Sequence, residues 1–254
     1  MMGWKRQDKQ IHPGAKVPRG HPFHDLIEEA YRVFAGPKPQ DVDVCTECFM
    51  TKAMAADFFR PDIGDLSLAY LREWFGAACP TEGVRQDIWA YLLPRTLEVL
   101  SAGEEPKNVG VEVSLSRFDT GNPALWSNEQ WRLLDRFQRQ FLQTVTSRYH
   151  SLDDTLCMFR LGGWQLDDLL SQVLAMPDEE IVGRLWRDWC EGFDACGCVW
   201  TTNFWEKDDE ARVSEFYKSD ALHDRIEAIA LSDNVDGEIA AKASDIVNVI
   251  KQGG

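Results

Sequence analysis

Residues 87–100 read Asp87-Ile-Trp-Ala-Tyr-Leu-Leu-Pro94-Arg95-Thr-Leu-Glu98-Val-Leu100, the most apolar stretch of the chain. Ile88, Leu92 and Val99 fall on one helical stripe and Trp89, Leu93, Leu97 and Leu100 on the next, so a helix here is apolar around most of its girth. Such a helix belongs at the centre of a bundle. Pro94 lacks an N–H and crowds the carbonyl of Ala90, which predicts a kink and leaves that carbonyl in need of a donor. Arg95 is the nearest candidate, and a side chain from another segment would serve equally well.

The flanking segments carry the same period. Phe23, Leu26, Ile27, Ala30 and Phe34 share one face of a helix that Gly36, Pro37 and Pro39 end. Further helices are predicted over about 49–59, stopped by Pro61, and over about 65–78, with Leu68, Leu71, Trp74 and Phe75 inward and Pro80 closing it. Residues 109–118 are ambiguous between a short strand and a helical turn, with helix preferred. Ser127, with Gln130 three residues on and Trp126 and Trp131 placed for a hydrophobic staple, opens a long amphipathic helix reaching about Arg148. Beyond His150 the elements shorten: Asp153 or Asp154 caps one, Asp167 precedes another, and Pro177 starts a third through Ile181, Leu185 and Trp189. A loop rich in Trp and Cys spans Gly192 to Trp205. One helix through Phe216, Leu222 and Ile226 and one from Asp236 finish the chain.

Composition narrows the classes of function. A chain of 254 residues with ten Trp and thirteen Phe can bury a sizeable core. Its net charge of −15 argues against nucleic acid and anionic membranes as partners, because phosphate contacts require clustered Lys and Arg. The same charge suits an encounter with a basic protein, and it also serves simple solubility. Seven scattered Cys fit reduced thiols better than a disulfide scaffold. No apolar run is long enough to span a bilayer, and the basic residues among the first twenty are not followed by a secretory apolar core. These features predict a cytoplasmic protein, with residues 1–20 as a loose arm and 21–254 as one helical domain, subdivided if anywhere near 150.

Three constellations could carry chemistry. Cys45-x-x-Cys48 has the spacing of a zinc knuckle, and His21 and His24 upstream would complete a Cys₂His₂ set. Against zinc, Pro22 restricts the turn between the histidines and an apolar helical segment separates the two halves, so small buried cysteines are the preferred reading. Cys190, Cys196 and Cys198 lie among Trp189, Trp200 and Trp205. Packing explains that cluster most simply; if the loop is instead a recognition surface, Trp200 and Trp205 are its anchors, since Trp is favoured in that role. Asp153-Asp154, Asp167-Asp168 and Asp178-Glu179-Glu180 each fall at a predicted helix start, where carboxylates cap backbone N–H groups and offset the helix dipole. Capping accounts for all three, and no catalytic residue is singled out.

Cys45-Thr-Glu-Cys48-Phe-Met50, Tyr91-Leu-Leu-Pro-Arg95-Thr-Leu-Glu98 and Val111-Glu-Val-Ser-Leu-Ser-Arg117-Phe resemble an uncharacterised family of bacterial proteins with a Cys-x-x-Cys-x-Met motif and a Leu-Pro-Arg-x-Leu-Glu helix. The resemblance covers about Asp43 to Leu142. It implies a bacterial cytoplasmic helical protein and brings no catalytic residue.

The resulting expectation is an all-α fold, roughly ten helices in an irregular array around the 88–100 helix. The leading functional expectation is a non-enzymatic, acidic protein-interaction module that neutralises a basic bacterial partner such as a toxin domain. A structural or regulatory zinc protein is the alternative, followed by an enzyme using acidic residues.

Overall fold

In the computed structural model, which describes residues 13–44, 50–77, 84–116, 118–145, 147, 150–191 and 197–252, every regular element is helical. Eleven α-helices and three short 3₁₀ turns occur, and no strand is found among the described residues. The chain gathers into two compact units, Met1–Asn108 and Val109–Gly254, a boundary that the change of sequence texture near 150 does not mark. No helix of the described residues is long and apolar enough to cross a membrane.

The first unit holds α1 (His24–Val33), α2 (Lys52–Asp57), α3 (Leu68–Ala77) and α4 (Gln86–Ser101). As its composition demands, α4 is enclosed: thirteen of its sixteen residues are buried. α1 and the 3₁₀ turn Ile63–Asp65 pack on it. Pro94 is accommodated inside a helix that continues to Ser101.

Arg95 does not serve the Ala90 carbonyl. The side chain is fully buried, and all five of its N–H groups are used elsewhere. Nε donates to the Leu66 carbonyl at 2.9 Å, Nη1 to the Ala15 carbonyl at 2.9 Å and to Glu98 Oε2 at 2.7 Å, and Nη2 to the carbonyls of Pro13 and Gly14 at 3.0 and 2.6 Å. Glu98 is buried too, and its Oε2 also accepts from the Tyr31 hydroxyl at 2.6 Å and from Lys16 at 3.2 Å. Burial, with Glu98 next to it, pushes the Tyr31 hydroxyl far above its ordinary pKa. Residues 13–17, read from composition as part of a loose arm, are therefore tied to the central helix. A guanidinium enclosed in protein must satisfy every donor, and consecutive carbonyls of an irregular segment supply acceptors that a helix has already spent.

The second unit holds α5 (Asn128–Gln143), α6 (Leu152–Leu161), α7 (Leu166–Leu174), α8 (Asp178–Trp189), α9 (Lys207–Tyr217), α10 (Asp220–Ala230) and α11 (Gly237–Gln252). α5 starts with the expected capping box between Ser127 and Gln130. α6 starts with a second one: Ser151 is the cap and Asp154 the reciprocal acceptor, correcting the assignment of the cap itself to Asp153 or Asp154. Phe137 and Phe141 of α5 meet Phe159 of α6, with ring centroids 6.5 Å apart for Phe137–Phe159 and 5.8 Å for Phe141–Phe159, and Trp164, just after α6, lies edge-on to Phe159 at 5.2 Å. The expected single helix through Phe216, Leu222 and Ile226 is two, because Ser219 caps α10 just after α9 ends. The ambiguous 109–118 segment contains the 3₁₀ turn Val111–Ser114, which packs on α6.

Candidate functional site

The second unit's Asp153 lies in the first turn of α6 yet caps nothing. It is 3 % exposed, and its Oδ2 accepts the backbone N–H of Thr202 at 2.6 Å and the indole N–H of Trp205 at 3.0 Å. The Thr202 hydroxyl donates to Glu112 Oε1 at 2.6 Å, from the 3₁₀ turn packed on α6. Two buried carboxyl groups thus hold one irregular loop at two consecutive anchor points, Thr202 and Trp205. Both acceptors are enclosed, and removing either partner of such a buried bond would strand the other.

Between and before those anchors the loop faces outward. Trp200 is 42 % exposed and Phe204 36 %. Val109, 57 % exposed, precedes Gly110, which lies against both Phe204 and Glu112. A Cβ on Gly110 would collide with the Glu112 carboxylate and touch the Phe204 ring at 3.4 Å. Gly110 also adopts φ 146°, a conformation that residues with side chains avoid. The absent side chain is what allows the carboxylate and the ring to lie so close to this backbone. Of the two expected anchors, Trp200 is at the surface, whereas Trp205 is a buried strut for the loop. Phe204 was not anticipated; its alternation with the inward residues 202 and 205 appears only once Asp153 and Glu112 are in place.

Electrostatics reinforces the structural role. Burial raises the Asp153 carboxyl to about 7, against the opposing hydrogen bonds from Thr202 and Trp205, and Asp154 raises it further. Burial also raises Glu112, again opposed by Thr202 and aided by Asp154. Neighbouring Cys157 is buried, and enclosure first, then the surrounding carboxylates, push its thiol far above the ordinary value. A thiol held protonated is a poor nucleophile and a poor metal ligand. Asp153 Oδ1 and the Tyr217 hydroxyl, both enclosed, have no hydrogen bond of good geometry, although each influences the other's ionisation. A proton on Oδ1 suits this arrangement better than a second ionised oxygen does.

The other acidic clusters behave as helix-start residues that also hold neighbours. Asp167 pairs with Arg212 of α9. Asp178 pairs with Arg225 of α10 at 2.6 Å. Of the zinc set, Cys45 and Cys48 lie outside the described residues, while His24 opens α1 and His21 Nδ1 accepts the Phe23 N–H at 3.3 Å. No group of three metal-ligating side chains occurs among the described residues. Cys157 and Cys190 are free thiols, but Cys198 is disulfide-bonded, so the expectation of reduced cysteines does not hold for that residue.

A cleft of about 240 Å³ in the first unit is lined by Tyr31, Phe34, Ile63, Tyr91 and Pro94, with Lys38 and Asp62 at its edge. Its polar groups are largely spent on the protein: Lys38 donates to the carbonyls of Arg60 and Pro61 and pairs with Asp62 at 3.4 Å, and Tyr31 is bound to Glu98. Comparison with family models, with curated proteins and with solved structures found no match.

Proposed function

We propose that the protein is a non-enzymatic recognition module for a basic protein, and that the loop displaying Trp200 and Phe204 is its anchor. The observation that carries this reading is the loop's construction. Two buried carboxyl groups hold it by Thr202 and Trp205, and two large aromatic side chains remain outside. Preorganised aromatics lose little entropy on binding and are the residues that dominate interface energies.

Charge supplies the kind of partner. Residues 109–254 carry 26 Asp and Glu against 14 Lys and Arg, so most of the chain's excess acidity belongs to the unit that displays the loop. Glu206, Asp208 and Glu210 follow the loop directly and are exposed. A field of this sign speeds encounter with a basic surface, and the aromatics then set the lifetime of the complex. Together with the resemblance to a bacterial family, this gives the proposal its sharpest form, neutralisation of a basic toxin domain.

The test is co-expression with the product of the adjacent gene, reading growth. Rescue by the native protein and loss of rescue by a Trp200→Ala, Phe204→Ala double variant that is still folded supports the proposal. Equal rescue by both proteins removes the loop from the account.

A further inference from the structure

Asp153 and Glu112 are buried on different elements, α6 and the 3₁₀ turn packed on it. Thr202, itself 3 % exposed, joins the two, with its N–H on Asp153 and its hydroxyl on Glu112, both at 2.6 Å. Trp205 adds its indole N–H to Asp153. The loop residues that bond these carboxyl groups therefore also enclose them. No ion pair to either group is found among the described residues: Arg160 of α6 is bound to Asp209 of α9 at 2.5 Å, and Arg187 of α8 to Asp188 at 2.9 Å.

The rest of the surroundings supply no cation either. On α6, Asp154 accepts the Ser151 N–H at 2.8 Å, and Cys157 is fully buried. From α9, Tyr217 acts on Asp153, and Asp209 is shared between Arg160 and Arg212. From α8, Arg184 donates to the Leu142 carbonyl. No charged residue of α5 or α7 is buried. Ionised here, the two groups have three loop donors and no counter-charge, against full hydration outside. Burial raises both, Asp153 to about 7, with Asp154 acting in the same direction and the loop donors opposing.

A protonated carboxyl still offers its carbonyl oxygen to Thr202 or Trp205, so the shut loop suits the neutral form. Lifting the loop admits water, which suits the ionised form. The shut state thus holds protons that an open state releases, and by linkage opening becomes easier as pH rises from the ordinary carboxylate range toward the raised one. We infer that the segment from Thr202 to Trp205 is a proton-gated cover: it lies shut over Asp153 and Glu112 while they are protonated, and their ionisation shifts it toward an open state in which Trp200 and Phe204 lose their fixed positions. The inference does not rest on the recognition reading, and its test needs no partner.

The experiment is amide hydrogen exchange of the full chain as a function of pH, with each rate corrected for the intrinsic pH dependence of exchange. The Thr202 amide is expected to be less protected than the amides of α11 at every pH, because the loop opens without the unit unfolding. Its protection is expected to fall about tenfold per pH unit for each proton released between about pH 5 and pH 7, and to level off above. Asp153→Asn and Glu112→Gln keep the acceptors and remove the charge, so each should flatten this fall, and Glu112→Gln decides the matter if Asp153→Asn does not fold. Protection of Thr202 that is independent of pH, or equal to that of α11, overturns the inference. So does a fall that is as steep in a folded variant as in the native protein.

Discussion

Trp205 donates its indole N–H to Oδ2 of Asp153 at 3.0 Å, and the two residues, 52 positions apart, are both buried. The bond turns a loop tryptophan inward and leaves its neighbours Phe204 and, further back, Trp200 to face solvent. Trp205→Phe keeps most of the ring and removes the donor. The variant should lose about 1–3 kcal/mol in chemical denaturation, the range for stranding a buried acceptor, here offset in part by the Thr202 N–H that remains. A loss under about 0.5 kcal/mol would mean that the bond does not hold the loop.

The same carboxyl makes a prediction in pH. Its folded value of about 7 lies well above the roughly 3.9 of an unfolded Asp. Between those values the folded state holds a proton that the unfolded state has released, so the contribution of Asp153 is fully present below about 4 and is lost as pH rises through about 7. Asp153→Asn mimics the protonated form, with an amide in place of the O–H. Relative to the native protein, it should gain stability between pH 5 and pH 8 in paired denaturation curves. Parallel curves at all pH values would show that Asp153 does not titrate in that window.

In the first unit, Arg95→Met should be the most damaging of the conservative-volume changes on α4. It leaves Glu98 buried with only Lys16, Tyr31 and the Val17 N–H for company, and breaking a buried pair from one side costs about 3–5 kcal/mol. It should also release residues 13–17, visible as new proteolytic cleavage in that segment under native conditions. Destabilisation without new cleavage would separate the pair's energetic role from its tethering role.

Leu93 and Leu97 are at most 1 % exposed on the same helix. Truncation of either to Ala should cost about 2–5 kcal/mol, the range for cavity formation in a packed core. A cost below about 1 kcal/mol would show that α4 is peripheral to its unit.

What could be read from the sequence was what short-range pattern controls. The girdle of apolar residues on α4, the Ser127–Gln130 capping box and the amphipathic faces of α1 and α5 all depend on spacings of one to four residues, and all are present. The Ser151–Asp154 box obeys the same rule, with the serine as cap and the aspartate as its reciprocal acceptor. Asp153 is different. Its partners are Thr202 and Trp205, about fifty residues on, and no local period distinguishes an aspartate that caps a helix from one that anchors a distant loop. The same holds for Arg95, whose acceptors at Pro13, Gly14 and Ala15 precede it by about eighty residues. Trp200 and Trp205 look alike in the sequence, and only the position of Asp153 decides which of them is outside.

The most direct test of the recognition proposal is the kinetics of binding between the purified protein and its basic partner at two salt concentrations. The comparison is between the native chain and the Trp200→Ala, Phe204→Ala variant. The account predicts an association rate that falls with salt to the same extent in both proteins, because charge governs encounter, and a dissociation rate at least tenfold faster in the variant, because the aromatics hold the complex. Unchanged dissociation in a folded variant, or binding of the native chain that is indifferent to salt, would contradict it.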